Sequence, residues 1–270
     1  MKLDDVRIKS IIAEEIRRFL REESSISDIV KDTAKSITNI LVRGEYEFTH
    51  PFYDIGEFTV VGVPIEVNAA DYRANGKTEP NERKITVEIP MLNGTVLKNS
   101  VYKVVSHEVE HLFQITKRDS ASWGKYSDIY NKAMDLGNSD DYYISNLSKY
   151  IYSCTSFEQD AFVNELYAEL MSIPFFSQRY VVDAVQNSNA YRALVLIRDV
   201  KAELTDSMSG VDYKNAMKEF NRSPRWFVYL GINGEKRLID KIRNVIKKGG
   251  KDRLGTEMSR HMNLDSIVTL

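Results

Sequence analysis

The sequence predicts an α+β fold, mostly helical, in which a small antiparallel sheet precedes a helix carrying the motif H-E-x-x-H. Three observations predict it. Apolar residues recur at spacings of 3 and 4 before residue 44 and again after residue 96. Between about Tyr46 and Met91 the texture changes to β-branched runs and strict alternation. No internal repeat or low-complexity linker separates these parts, so one domain with helical extensions is the simplest architecture. With 43% hydrophobic and 28% charged residues in a chain of 270, there is ample material for a real core.

The start reads as helix, because Val6, Ile8, Ile11, Ile12, Ile16, Phe19 and Leu20 follow helical spacing with charges between them. Ser24 or Ser25 can cap a second helix carrying Ile29, Val30, Ile37, Ile40 and Leu41, which Gly44 ends. Strands are expected at Phe58–Val63 and Ile65–Val67, and where Ile85, Val87 and Ile89 alternate with Thr86 and Glu88. Asn75-Gly76 signals a turn, and Pro90 with Asn93-Gly94 is expected to break the last strand. Helices then follow from about Val96 or Ser100 to Thr116, over Ser122–Asp135, over Asp140–Ile151, and over Ser156–Met171, stopping before Pro174. Further helical patterns cover Arg179–Asn187, Ala190–Asp206 and Asp212–Phe220. The last helix starts at Ser223-Pro224 and reaches Lys248, with a break expected at Gly231–Gly234 and an ending at Gly249-Gly250. This divides the chain into N-terminal helices (1–44), a core carrying the motifs (45–175) and a C-terminal helical part (176–270) packed on that core.

Charge narrows the partners. Lys plus Arg number 37 against 39 Asp plus Glu, a net charge of −2, and no polybasic or polyacidic tail points to nucleic acid or an anionic membrane. The run Lys247, Lys248, Lys251 and Arg253 reads as the solvated end of a helix. The aromatic stretches Tyr142–Tyr152 and Trp226–Tyr229 lie at helical spacing beside Ile and Leu, which reads as core, not as a base-stacking platform. The single cysteine, Cys154, permits no intramolecular disulfide and reads as a small buried hydrophobe. The opening MKLDDVRIKS lacks the apolar stretch of a signal peptide, and no uncharged apolar run is long enough to span a bilayer. A soluble, cytoplasmic protein is expected.

The chemistry concentrates in SHEVEHLFQ. On a helix His107 and His111 project from nearly the same face and can reach one metal ion. Glu108 points about 100° away from His107, where it can stand beside a metal-bound water without ligating the metal. Zinc acidifies such a water and polarises a scissile carbonyl, while a glutamate accepts the proton. Val101, Val104, Val105, Val109, Leu112, Phe113 and Ile115 surround the motif with apolar material. The strand Ile85–Ile89 just upstream is expected at a sheet edge, able to pair with an extended peptide.

A third ligand is needed. A third histidine at metzincin spacing is absent, because position 117 is Lys117 and position 114 is Gln114. No glutamate occurs between His111 and Ser156, and the first one afterwards is Glu158, with Asp160 and Glu165 as alternatives. Glu158 followed by Ala161, and then Ala168-Glu169-Leu170-Met171 before Pro174, resembles the glutamate helix of ImmA/IrrE-type peptidases, which are gluzincins. That resemblance covers the two motif helices and the strand before them. It implies a zincin-like fold and a zinc metallopeptidase acting on a peptide or protein substrate. His107, His111 and Glu158 would then hold one Zn2+, with Glu108 as general base.

Two departures stand out. The gap from His111 to Glu158 is long for that family and implies an inserted pair of helices. A thermolysin-like E-x-x-x-D pattern fails because position 162 is Phe162, which leaves Glu165 as a candidate for the carboxylate behind a ligand histidine. His261, Tyr142 and Tyr143 are candidate donors to a developing oxyanion, while His50 before Pro51 reads as a loop residue. The competing expectation is a catalytically inactive zincin-like binding or assembly protein, docked through the N-terminal helices. The retained Glu108 argues against it. Hydrolysis of a substrate other than a peptide is a third possibility.

Overall fold

In the computed structural model, the residues described are 28–52, 56–69, 72, 74–79, 82–117, 120–173, 176–206 and 210–259. The helix expected over Val6–Leu20, its neighbour's cap at Ser24 or Ser25, and His261 lie outside them. Helix α1 covers residues 28–42 of this set and buries Val30, Ala34, Ile37 and Leu41 along one stripe. Gly44 closes it with a φ of +93° and an amide that donates to Leu41 O at 3.0 Å, the left-handed stop that glycine favours.

Five strands follow among the described residues: β1 (Glu47–Phe52), β2 (Gly56–Glu66), β3 (Gly76–Glu79), β4 (Lys84–Leu92) and β5 (Thr95–Val96). Their order is β1-β2-β4-β3, with β5 on the end of β4. The sheet is mixed, which corrects the antiparallel expectation. Strands β2 and β4 run parallel, with Val60 opposite Ile85 and Gly62 opposite Val87, while every other pair is antiparallel. The cause is the β3–β4 hairpin: β3 takes the outer edge, so β4 fills the slot beside β2 and shares its direction. Alternation specifies which residues face inward but not which strand pairs with which. Strand β4 also runs on through Pro90, and the break comes at Asn93-Gly94, where φ values of +51° and +73° turn the chain into β5. His50 belongs to β1 instead of a loop, with its ring hydrogen-bonded to Ser36 Oγ at 2.9 Å and to Pro51 O at 2.7 Å.

Eight further helices complete the described chain: α2 (Lys98–Lys117), α3 (Ser120–Leu136), α4 (Tyr142–Cys154), α5 (Ser156–Ser172), α6 (Gln178–Asn187), α7 (Asn189–Thr205), α8 (Gly210–Glu219) and α9 (Pro224–Ser259). Side-chain caps fix three starts: Asp141 accepts from Ile144 N, Thr155 from Glu158 N and Ser188 from Tyr191 N. Helices α3 and α4 occupy the long gap between the two motif helices. No helix among the described residues is long and apolar enough to cross a membrane.

The core has two parts. Sheet residues Phe58, Val60, Ile85, Val87 and Ile89 pack with α1 and with Val101, Val105, Val109 and Leu112 of α2. Helices α4 to α9 form the other around Tyr150, Leu166, Tyr213, Phe227 and Leu238. The two parts meet where α2 packs on α5. Of the aromatic stretches, Tyr150 and Phe227 are fully buried, whereas Tyr142 and Tyr229 face solvent.

Helix α9 is continuous where a break at Gly231–Gly234 was expected, and it does not end at Gly249-Gly250. Its glycines are contact surfaces. A Cβ on Gly231 would stand 2.1 Å from Tyr150 Oη, and one on Gly234 would stand 2.9 Å from Cys154 Sγ. Glycine here permits α9 to cross α4 at close range. The Tyr150 hydroxyl is committed at that crossing, since it donates to Phe227 O at 2.6 Å. Gly231→Val is therefore expected to destabilise the fold by about 1–3 kcal/mol, read as a lower urea midpoint. An unchanged midpoint would contradict this account of the crossing. Beyond Gly249, Arg253 is no solvated helix end. Its guanidinium donates to Met171 O and Ile173 O, both at 2.9 Å, and closes the C-terminus of α5.

Candidate metal centre

Helix α2 sets the first two donors. Its apolar residues bury one side against the sheet and leave His107 and His111, one turn apart, facing α5. The Thr155 cap starts α5 so that Glu158 falls in its first turn, fully buried at 0% exposure. The imidazole Nε2 atoms of His107 and His111 lie 3.0 Å apart. Glu158 Oε2 is 3.7 Å from the first and 3.5 Å from the second.

These separations can be tested against an ion. Ligands at about 2.0–2.1 Å from a tetrahedral zinc stand about 3.3 Å from one another. The three donors sit close to that spacing, converge on one point, and can hold a metal ion. Glu158 Oε2 is buried without a hydrogen-bond partner, which is costly for a carboxylate oxygen unless a cation completes it.

Burial and neighbouring charge act differently on the three donors. Burial, reinforced by neighbouring His111, drives His107 down to about 3, so its imidazole is neutral and offers a lone pair. Burial alone would also lower His111, but the Glu158 carboxylate beside it pushes it up. Burial would raise Glu158, yet His111 and then His107 hold it below the ordinary carboxylate range. The carboxylate is thus kept ionised inside the protein.

Glu108 stands to the side, 5% exposed, with its pKa raised by burial. Strand β3 fixes it. Thr78 Oγ1 donates to Glu108 Oε2 at 2.7 Å, and a Cβ on Gly76 would come within 2.6 Å of Glu108 Cγ. Gly76 and Thr78 share one face of the strand, so the absence of a side chain at the first and the hydroxyl of the second together seat the carboxylate. Asn75, just before the strand, donates both its backbone N and its Nδ2 to Glu88 Oε2 at 2.9 Å. The sheet edge beside the motif is therefore β3, not the Ile85–Ile89 strand, which lies between β2 and β3.

The other carboxylates separate by position. Glu165 Oε2 lies 3.8 Å from His107 Nδ1, on the far side of the ring from Glu158, and the Asn189 amide donates to both its oxygens. It fits the carboxylate behind a ligand, not the third donor. Asp160 is turned to Lys241 of α9. Glu169 pairs with Lys103 at 3.0 Å.

Sequence reading missed several neighbours. Glu110, buried between α2 and α5, accepts from Gln114 Nε2 at 2.8 Å and from Asn164 Nδ2 at 2.6 Å, which ties the two motif helices together. Burial, with Asp160 adding to it, pushes Glu110 up to about 7. Phe157 stacks on His111 with centroids 4.3 Å apart, and Phe162 flanks His107. The Tyr130 hydroxyl, from α3, donates to Glu158 Oε1 at 2.6 Å. Burial, then the Glu158 charge, push that phenol far up, so it remains a donor. Phe157 and Phe162, on either side of Glu158 in the helix pattern, were the only local signal. Nothing in sequence linked Tyr130 to a residue 28 positions away.

Among the expected oxyanion donors, Tyr142 is solvent-exposed and Tyr143 packs edge-on to Tyr213, and neither borders the site. The Cys154 thiol is fully buried, and burial raises its pKa, as suits a small hydrophobe. A cleft of about 1200 Å³ opens over the histidines, walled by β3, α2, α3, α5 and the start of α7. No protein family, curated protein or solved structure matches this chain.

Proposed function

We propose that this protein is a zinc-dependent metallopeptidase of gluzincin type, with His107, His111 and Glu158 holding the ion and Glu108 as general base. One observation carries the reading: three donor atoms, from buried His111 and Glu158 and partly buried His107, converge at 3.0–3.7 Å, beside a separate buried carboxylate that lines the same cleft. Two imidazole nitrogens and one carboxylate oxygen are a donor set suited to zinc, which supplies a Lewis acid for a carbonyl and lowers the pKa of water.

The chain's own residues supply the rest. Glu108, oriented by Thr78, accepts a proton from the attacking water and passes it to the leaving amine. Glu165 places a carboxylate charge 3.8 Å from His107 Nδ1, on the side of the ring away from Nε2. Strand β3 borders the cleft as a sheet edge, and such an edge can take an extended peptide by backbone pairing. That favours peptide over other carbonyl substrates. A binding or assembly module has no use for a buried base held by two residues of a neighbouring strand. The likeness of the Glu158 helix to ImmA/IrrE-type peptidases points the same way.

The test is direct. Zinc-supplemented protein is incubated with a mixture of synthetic peptides, and cleavage is followed by mass spectrometry. Cleavage is expected to stop with a zinc chelator and to return with added zinc. Cleavage that a chelator leaves untouched would refute the reading.

A further inference from the structure

We propose that Tyr130 is a positioning residue of this centre, holding Glu158 to ligation through a single oxygen. The inference rests on the ligand assignment above and adds a residue from a helix that carries neither motif. A carboxylate has two oxygens, and the surroundings of Glu158 treat them differently. Oε1 accepts the Tyr130 hydroxyl at 2.6 Å. Oε2 has no hydrogen bond and faces the two histidine nitrogens. At 0% exposure no solvent competes for either oxygen.

The physical consequence follows from that asymmetry. With Oε1 engaged by a short, charge-assisted bond, the carboxylate cannot rotate to offer both oxygens to the ion. The ion then keeps a place for water and substrate, the open position that distinguishes a catalytic site from a closed structural one. Tyr130 is itself well seated. Its ring lies edge-on to Phe157 at 5.7 Å and stacked with Tyr152 at 5.8 Å. Phe157 is also the ring stacked on His111, so one ring braces a ligand and the phenol together. Helix α3, which fills the gap between the motif helices, thereby contributes to the centre through one hydroxyl.

The experiment measures zinc affinity by competition with a chromogenic chelator, using the full chain as wild type, Tyr130→Phe and His111→Ala. Zinc-edge X-ray absorption on the loaded proteins reports the number of light-atom neighbours. Phenylalanine keeps the ring contacts and removes the hydroxyl. Tyr130→Phe is expected to bind zinc about 10–100-fold more weakly, the range typical of lost outer partners. Its metal-free melting temperature is expected to fall by a few degrees, because buried Glu158 Oε1 loses its donor, and the rise on adding zinc is expected to shrink as well. One additional oxygen neighbour is expected around its zinc. Placing 4-aminophenylalanine at position 130, which restores a donor at the same point, is expected to recover affinity.

Affinity of Tyr130→Phe within about threefold of wild type, with zinc lost in His111→Ala, would overturn the proposal and leave the site assignment standing. Should Tyr130→Phe fail to fold, the 4-aminophenylalanine protein decides alone. Wild-type affinity and neighbour count there support the hydrogen bond, and their loss refutes it. Absence of zinc binding in wild type itself would refute both.

Discussion

Glu108→Gln is expected to lower kcat for peptide cleavage by about 10²–10⁴-fold while leaving zinc content and fold unchanged. The substitution is nearly isosteric, which matters at a position only 5% exposed and pressed against Gly76. The Thr78 hydroxyl, now 2.7 Å from Glu108 Oε2, can donate equally to an amide oxygen, so the side chain stays in place. His107, His111 and Glu158 are untouched. What disappears is the capacity to take up a proton, an interaction needed in the transition state and not in substrate binding. The loss should therefore appear in kcat with little change in KM. Steady-state assays on one cleaved peptide, with zinc content measured on the same preparation, check it. Activity within about tenfold of wild type would remove Glu108 from its role.

Glu158→Ala is expected to abolish both zinc retention and activity. Two histidines remain, and a site reduced to two protein ligands should lose more affinity than the about 10–100-fold governed by outer partners. The truncation also leaves the Tyr130 hydroxyl without its buried acceptor, at a cost of about 1–3 kcal/mol. The informative comparison is with Glu165→Ala and Asp160→Ala. Glu165 lies behind His107 Nδ1 and Asp160 faces Lys241, so both variants should retain one zinc per chain, the first more weakly. Loss of zinc from Asp160→Ala, or full retention in Glu158→Ala, would contradict the geometry. Metal analysis after dialysis against a weak chelator separates the variants.

Much of this site was legible in the sequence because its strongest determinants are local. Two histidines four apart on a helix fix their own relation, and helix starts at Asp141, Thr155 and Ser188 are set by side chains one turn from the groups they cap. Glu158 could be picked out because no glutamate precedes it after the motif. The features that escaped are those set by long-range packing. Strand β3, Gly-Lys-Thr-Glu, has no apolar alternation, since its inward positions hold a glycine and a threonine chosen to fit Glu108. The parallel pairing of β2 with β4 depends on where β3 folds, which neither strand encodes alone. Gly231 and Gly234 read as a break because glycine lowers helix propensity, yet tertiary contact with Tyr150 and Cys154 outweighs that cost of about 1 kcal/mol each. Tyr130 reaches the ligand Glu158, and Asn189 reaches Glu165 behind His107, from helices with no motif of their own.

The assignment of a metal to His107, His111 and Glu158 is tested most directly by elemental analysis of folded, zinc-supplemented protein after removal of loosely bound metal. One zinc per chain in wild type, absent from His111→Ala under the same treatment, is the predicted result. Wild-type protein that is folded and carries no zinc would contradict the account at its root.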